Sequence, residues 1–165
     1  MAEVKFIEIN ETYLPQVLEI YNYYIQNSTA TFSIQPVTLE EMRRIVFYSD
    51  PRFKTFIIFD QDKLCGYCIL ARYKEREAYN ITAEATLYLH PEFTGKGIGS
   101  QALQFLESFA RQNQFHSLIS VICSENTASI KLFGKNSYTK CAHYKEIGKK
   151  FGRLLDVVVY QKLLV

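Results

Sequence analysis

Two spacings of apolar residues alternate along this chain, and they predict a mixture of helices and strands. Apolar residues that recur every three or four positions lie on one face of a helix, whereas alternation or a short apolar run is typical of a strand. The first pattern predicts four helices: one that follows a cap at Asn10 or Thr12 and carries Leu14, Val17, Leu18, Tyr21 and Ile25, and three over residues 39–48, 97–112 and 128–135. The second predicts strands over residues 4–9, 55–60, 64–71, 81–90, 118–123, 138–147 and 154–164.

The order of these elements predicts an α/β fold in a single domain. One strand precedes two helices, a hairpin follows, and strands and helices then alternate before a final pair of strands. Such an order favours a mixed central sheet of about seven strands flanked by about four helices. No repeat, low-complexity tract or linker divides the sequence, so we expect residues 1–165 to form one domain.

Composition and charge argue against several classes of protein. Hydrophobic residues make up 48% of the chain and charged residues 22%, which is typical of a globular domain, and the net charge is only +2. The densest basic stretch, residues 145–153, is interrupted by apolar residues and predicts a solvated hairpin rather than a nucleic-acid-binding surface. No apolar run approaches the ~20 residues of a membrane span, and the first residues lack a signal-peptide pattern. We therefore expect a cytoplasmic protein without nucleic-acid or membrane partners.

The four cysteines, Cys65, Cys68, Cys123 and Cys141, are expected to be reduced and structural. Cys65 and Cys68 have the spacing of a redox motif, but they lie in a predicted strand, where residues three apart face opposite sides. No second cysteine or histidine pair follows at a zinc-binding spacing, so the sequence predicts no metal site.

A glycine-rich turn joins the strand at residues 81–90 to the helix at residues 97–112. Its sequence is Pro91-Glu92-Phe93-Thr94-Gly95-Lys96-Gly97-Ile98-Gly99-Ser100. The free backbone amides and the partial positive charge of a helix N-terminus favour an anion, and glycine lets a ligand approach the backbone closely. The turn therefore predicts a phosphate or diphosphate site; the alternative is a turn that merely starts a helix.

Two other nucleotide-binding motifs fit this turn poorly. A P-loop requires Gly-Lys followed by Ser or Thr, whereas Ile98 follows Gly97 here. A dinucleotide-binding fold requires an acidic residue about 20 positions further on, at the end of the next strand, and that strand ends later, at residues 123–125.

The strand, the proline and the turn from Gly95 to Ser100 together resemble the acetyl-CoA diphosphate motif of the GNAT superfamily of N-acetyltransferases. Thr94 departs from that motif, which has Gln or Arg at this place. The resemblance spans nearly the whole chain and is strongest with the phosphinothricin and methionine sulfoximine acetyltransferase branch. The matching segments are Thr29-Ala30-Thr31-Phe32, Arg76, Ala78-Tyr79, Thr82, Glu84, and Lys150-Phe151-Gly152-Arg153 with Asp156. It implies a GNAT fold, acetyl-CoA as co-substrate, a small amino-acid-like amine as acceptor, and a homodimer.

The resemblance also implies which residues contact acetyl-CoA. They lie at the end of the central strand and in the turn: Leu87, Tyr88, Leu89, Gly95, Lys96, Gly97, Ile98, Gly99 and Ser100. Asn126 and Ser129 match a segment that contacts the pantetheine end. Phe133 stands where relatives carry a Tyr or His that protonates the departing CoA. Since Phe cannot donate a proton, CoA leaves as the thiolate or another group substitutes, and Tyr138 and His143 are nearby in sequence.

Glu84 is the candidate general base. Strand alternation places it on one face with Thr82, Thr86 and Tyr88. A carboxylate between two alanines of a central strand is costly to bury, so either this face is solvated or the carboxylate has a function. An ammonium must lose a proton before its nitrogen attacks a thioester, and a carboxylate with a raised pKa can accept that proton. The resemblance implies this role for Glu84.

Four residues are candidates for contact with the amine substrate. An arginine fork suits a carboxylate or phosphinate, and Arg72 and Arg76 flank the entrance to the central strand. Tyr79 and Phe32 are candidates for the walls of the pocket. The alternative for both arginines is an ordinary surface position.

Two functions stay open on the sequence alone. The first is an N-acetyltransferase with Glu84 as base. The second is a GNAT-like module that binds CoA as a sensor or scaffold without turnover, and Phe133 is the feature that favours it. A dinucleotide-dependent oxidoreductase is a distant third.

Overall fold

In a computed structural model of the chain, which describes residues 3–165, seven strands and four α-helices follow one another in the predicted order. The strands are β1 Val4–Glu8, β2 Lys54–Asp60, β3 Lys63–Arg72, β4 Thr82–Leu89, β5 Ser117–Cys123, β6 Thr139–Lys150 and β7 Arg153–Leu163. The helices are α1 Leu14–Asn27, α2 Leu39–Val46, α3 Ile98–Gln112 and α4 Thr127–Lys135. Short 3-10 turns lie at Glu11–Tyr13, Glu77–Ile81 and Pro91–Phe93.

The strands form one mixed sheet in the order β1-β2-β3-β4-β5-β7-β6. All neighbouring strands are antiparallel except β4 and β5, which run parallel. A parallel pair needs a crossover connection, and α3 supplies it. The prediction of an α/β fold with a mixed seven-stranded sheet and four helices is therefore confirmed.

The helices cover both faces of the sheet and bury two apolar clusters. The larger cluster contains Ile98, Leu103 and Leu106 of α3, and the smaller one contains residues of α1 and α2. Strand β4 contributes Ala83 and Ala85 to the α3 side. Because successive side chains of a strand alternate, Glu84 lies on the α1–α2 side. Within residues 3–165, no helix is both long and apolar enough to cross a membrane.

Local polar signals set several helix boundaries. The Thr38 hydroxyl accepts from the Glu41 amide at 3.1 Å at the start of α2, and the Asn126 side chain accepts from the Ser129 amide at 3.2 Å at the start of α4. Both predicted caps are thus confirmed. Asn10, by contrast, caps the 3-10 turn, and α1 begins only at Leu14.

The prediction that Cys65 and Cys68 face opposite sides of their strand is wrong. Ile58 pairs with Gly66 and Phe59 pairs with Leu64, so Cys65 is the extra residue of a β-bulge. The bulge changes the alternation, and both cysteines enter the α3-side cluster. All four cysteines of the chain are free thiols, three of them buried.

Strands β4 and β5 separate soon after they begin. They pair only where Thr82, Ala83 and Glu84 lie opposite residues 117–119, and among the described residues no further pair joins them. Strand β5 stays paired with β7, and β4 stays paired with β3 along its length. The sheet is thus open between residues 85–89 and residues 120–123, where backbone groups on facing edges are free to bind a ligand.

Candidate active site

A cavity of about 970 Å³ occupies the opening between β4 and β5. Its walls come from the end of α1 and the loop after it, the second half of β4, the glycine turn, the end of β5 and α4. This volume is at the upper end of the range typical of small-molecule sites. One cavity therefore connects the glycine turn to the face of β4 that carries Glu84.

The glycine turn forms a cradle beside the N-terminus of α3. Gly95 and Gly97 have positive φ angles of 75° and 80°, which favour glycine, and a Cβ at either position would meet nothing within 4 Å. Helix α4 supports the cradle, because Asn136 donates to the Ser100 hydroxyl at 3.1 Å. The turn thus presents backbone amides and a helix N-terminus to open space, which suits a diphosphate.

Two lysines add positive charge to this part of the cavity. Lys131 and Lys135 lie one turn apart on α4 and line the cavity, and within residues 3–165 neither forms an ion pair. Sequence reasoning missed both. The available signal was their spacing of four residues on a short helix that is capped by Asn126 and carries Ser129.

Glu84 is half-buried in the cavity wall, and burial raises the pKa of its carboxyl. Among the described residues its side chain has no hydrogen-bond or ion-pair partner that would offset this effect. Burial, and to a lesser extent the charge of Glu84, raises the pKa of Tyr48 to about 12, so this hydroxyl stays protonated. A carboxyl with a raised pKa and no partner is suited to exchange a proton with a ligand.

The second half of β4 provides the predicted ligand-facing strand. Leu87, Tyr88 and Leu89 all line the cavity, together with Tyr24 of α1. The Tyr24 hydroxyl donates to the carbonyl of Leu89, and burial raises its pKa. These side chains and the open strand edge connect the Glu84 face with the cradle.

Phe133 lies in the cavity wall and is 3% exposed. Its ring packs edge-on against Tyr138, with ring centroids 4.9 Å apart. Tyr138 does not line the cavity, and its pKa is raised by burial and by Glu107. His143 pairs with Asp156 at 2.8 Å on the β6–β7 hairpin, also outside the cavity wall. Neither of these two residues therefore substitutes for the proton donor that Phe133 lacks.

Most of the predicted cofactor residues are brought together by the fold. The cavity is lined by Glu84, Leu87, Tyr88, Leu89, Gly95, Gly97, Gly99, Ser100, Asn126, Ser129, Phe133 and the substrate candidate Phe32. Lys96 and Ile98 are not in its wall: the Lys96 ammonium lies 5.2 Å from the ring centre of Phe93, and Ile98 is fully buried in the core. In residues 3–165 no group of three or more His, Cys, Asp or Glu residues is placed to hold a metal ion.

The other three substrate candidates lie outside the cavity wall. The Arg72 guanidinium donates to the Asn80 side chain at 2.6 Å and lies 3.3 Å from Asp50, so its fork is already occupied. Arg76 is exposed at the start of a 3-10 turn, and Tyr79 packs edge-on against Tyr73. These three residues therefore lie near β4 in the sequence but do not line the cavity.

Comparisons with known proteins identify the family. The sequence pattern of the acetyltransferase (GNAT) family matches residues 17–138. A phosphinothricin N-acetyltransferase of Streptomyces coelicolor is 30% identical over 99% of this chain and 98% of its own. An L-methionine sulfoximine/L-methionine sulfone acetyltransferase of Pseudomonas aeruginosa is 32% identical over 90% of this chain and 87% of its own. A crystal structure of a GNAT superfamily phosphinothricin acetyltransferase from Sinorhizobium meliloti, in complex with acetyl-CoA, superposes with a TM-score of 0.91 at 27% identity, over 97% of this chain and 88% of the other.

These similarities cover the elements that build the cavity. The matched residues 17–138 include the α1 loop, β4, the glycine turn, β5 and α4. The relative from Streptomyces coelicolor extends the match to nearly the full length, and the structural similarity covers 97% of this chain. The chain belongs to the GNAT family of acetyltransferases.

Proposed function

We propose that this protein transfers the acetyl group of acetyl-CoA to the amino group of a small amino-acid-like substrate such as phosphinothricin, methionine sulfoximine or methionine sulfone. The observation that carries the proposal is one cavity that joins a diphosphate cradle to a half-buried carboxyl of raised pKa. The names of the two relatives above support this substrate class. Residues 1–165 would form the single N-acetyltransferase domain that does this.

Glu84 acts as the general base in this proposal. An amino acid reaches the enzyme mainly as the ammonium, which has no lone pair for attack. The Glu84 carboxylate removes one proton, directly or through a water, and the free nitrogen attacks the thioester carbonyl. The nitrogen adds to the carbonyl carbon, and the carbonyl oxygen carries the negative charge of the tetrahedral intermediate. When this intermediate collapses, the C–S bond breaks and the nitrogen releases its second proton to solvent. Backbone N–H groups on the open edge of β4 near Leu87 are suited to stabilise that charge.

The cradle and α4 hold the CoA portion. The backbone from Gly95 to Ser100 takes the diphosphate, while Lys131 and Lys135 attract its phosphate groups. Asn126 and Ser129 lie along the pantetheine arm. Since Phe133 has no proton to give, CoA departs as the thiolate, whose basicity is modest compared with that of an alkoxide.

Phe32 forms part of the wall on the acceptor side. Its ring lines the cavity on the side of the sheet to which Glu84 projects, and it is 37% exposed. Arg76 and Tyr79 do not line the cavity, so they would contact only a part of the amine that extends beyond it. We assign Arg72 a structural role, because its guanidinium already binds Asp50 and Asn80.

An acetylation assay over a panel of amines tests the proposal. We expect release of free CoA thiol from acetyl-CoA with phosphinothricin, methionine sulfoximine or methionine sulfone, and a much slower release with polyamines or aminoglycosides. Mass spectrometry of the product should show one added acetyl group on the amine. The substrate class is wrong if polyamines or aminoglycosides are acetylated faster than all three amino-acid analogues.

A CoA-binding sensor or scaffold without turnover is the second candidate. Phe133 favours it, because a side chain that donates a proton is missing at that place. Tight binding of acetyl-CoA in calorimetry with no product from any amine of the panel would support this alternative over the first.

We also propose that the protein is cytoplasmic, because its four free cysteines fit a reducing compartment.

We propose further that it forms a homodimer. Large apolar side chains of the β6–β7 hairpin are half exposed or more, and such a patch is typical of a protein interface. They are Tyr144, Ile147, Phe151 and Leu154. We expect light scattering to give about twice the mass of one chain, and Ile147→Glu to reduce it to one chain. A monomeric wild-type protein would contradict this assembly.

A further inference from the structure

The loop after α1, residues 28–33, forms one wall of the cavity but belongs to no helix or strand. We call it the acceptor loop, because it lies on the side of the sheet to which Glu84 projects. Its internal polar contacts are few: the Ala30 amide donates to the Ser28 hydroxyl at 3.1 Å, and the Ser33 amide donates to the Thr31 hydroxyl at 3.3 Å. Such a segment keeps one conformation only if other parts of the chain hold it.

Helix α1 supplies part of this support, because the Tyr21 hydroxyl hydrogen-bonds the Thr31 and Ser33 hydroxyls at 3.1 and 2.9 Å. An ion pair on the far side of the cavity supplies the separate contact to Thr29. Glu125 lies just after β5, and its Oε1 accepts a hydrogen bond from the Thr29 hydroxyl at 3.0 Å. Arg153, the first residue of β7, holds the same carboxylate with both ends of its fork, at 2.8 and 2.9 Å. These bonds lower the pKa of Glu125 to about 2, so the carboxylate stays charged at physiological pH. Arg153 itself does not line the cavity.

The β6–β7 hairpin supplies two further contacts to the acceptor loop. The Lys150 ammonium, on a side chain that is 3% exposed, donates to the Thr31 carbonyl at 2.8 Å. Phe32 packs so closely on Gly148 that a Cβ at this glycine would lie 2.5 Å from its ring. The hairpin therefore contacts the acceptor loop directly at two residues, Thr31 and Phe32, and reaches Thr29 only through the bonds between Arg153 and Glu125.

The Glu125–Arg153 pair is a poor candidate for a stabilising element of the fold. Its side chains are 40% and 54% exposed, and exposed ion pairs contribute little to stability. Its geometry is nevertheless well defined, because a two-pronged fork fixes the carboxylate in direction as well as distance. A fixed Glu125 carboxylate in turn fixes the Thr29 hydroxyl in the cavity wall, because Thr29 donates to the same carboxylate.

We propose that Glu125 and Arg153 are positioning residues that hold the acceptor loop against the β6–β7 hairpin and thereby shape the amine-binding side of the cavity. This inference rests on the proposed acetyl transfer to a small amine. Arg153 acts at a distance: its fork orients Glu125, Glu125 holds Thr29, and the loop presents Thr31 and Phe32 to the amine. The cradle and α3 are not part of this chain of contacts, so acetyl-CoA binding does not depend on it.

Arg153→Gln tests this role. We expect the KM for the amine to rise about fivefold or more, while the calorimetric Kd for acetyl-CoA and the melting temperature change little. Arg153→Lys keeps the charge without the fork, and its amine KM should fall between those of the wild type and Arg153→Gln.

Lys149→Gln serves as the control. It removes a cation from an exposed position of the same hairpin and should leave the amine KM within about twofold. Glu125→Gln combined with Arg153→Gln should raise the KM no further than the larger single effect, because the two residues act as one unit.

Amide hydrogen exchange tests the same contacts without turnover. In Arg153→Gln we expect exchange at residues 28–33 to accelerate, while exchange in α3 stays as in wild type. An unchanged amine KM together with unchanged exchange in the loop would overturn the proposal. So would a parallel loss of acetyl-CoA affinity, since the pair would then support the whole cavity. Wild-type protein that acetylates no amine would instead refute the proposed function, and the exchange result would still decide whether the pair holds the loop.

Discussion

Glu84→Gln is expected to lower kcat at neutral pH by about 100-fold or more. The amide has nearly the same shape and burial as the carboxyl, so the cavity and the acetyl-CoA site should persist, but it cannot accept a proton from the ammonium. The loss should therefore appear in kcat, with the Kd for acetyl-CoA unchanged in calorimetry. Glu75→Gln, at an exposed position outside the cavity, serves as the matched control and should retain wild-type kcat.

The pH dependence of kcat/KM provides a second readout of the same group. Because burial raises the pKa of Glu84, the wild-type rate should increase with pH through a value above the ordinary glutamate range of about 4.3. Below that value the carboxyl is protonated and cannot act as a base. The limb assigned to Glu84 should disappear in Glu84→Gln. A variant with wild-type kcat, or one that keeps this limb, would remove Glu84 from the mechanism.

The same burial predicts that Glu84→Gln stabilises the protein at neutral pH. A carboxyl whose pKa is raised in the folded state favours folding below the unfolded-state pKa, and this contribution is lost as the pH rises through the folded-state pKa. At neutral pH the wild type therefore carries the unfavourable burial of a charge, which the amide avoids. We expect a higher melting temperature for Glu84→Gln at neutral pH and a smaller difference in mildly acidic buffer. A substitution that lowers kcat and raises the melting temperature would indicate that the Glu84 carboxylate serves catalysis at a cost in stability.

The fold was largely predictable because its elements depend on short-range patterns. Apolar spacing located every strand and helix, and side-chain caps such as Thr38 and Asn126 located helix starts. The bulge at Cys65 was not predictable in this way. It depends on how β2 and β3 pair, and an alternating apolar run is compatible with pairing with or without an extra residue.

The predictability of the site likewise depends on whether its residues are close together in the sequence. The cradle is a contiguous turn, so its glycines and the preceding strand could be recognised from local sequence. The acceptor side is assembled from segments far apart in the chain: Thr29 meets Glu125 across 96 residues, and Lys150 meets Thr31 across 119. No periodic pattern connects such segments. For the same reason Arg72 was misleading, because its nearness to β4 in sequence says nothing about Asp50, which binds it 22 residues away.

Gly97→Ala is expected to weaken acetyl-CoA binding by about tenfold or more. Gly97 lies within the cradle, has a φ of 80° and directly precedes α3. A Cβ at this position would point into open space in the cavity wall. A methyl group there would occupy the space that a diphosphate needs to reach the backbone amides. Isothermal titration calorimetry with acetyl-CoA measures the loss directly, without any amine substrate.

Gly152→Ala separates this steric effect from backbone strain. Gly152 has a φ of 72° in the turn between β6 and β7, its Cβ would also meet nothing within 4 Å, and it does not line the cavity. Both substitutions place alanine in a left-handed conformation at a cost of about 1 kcal/mol, so both should lower the melting temperature by about 2–4 °C. Only Gly97→Ala should lower the affinity for acetyl-CoA. Equal affinities in the two variants would mean that the diphosphate does not lie against this turn, and the assignment of the cradle would fail.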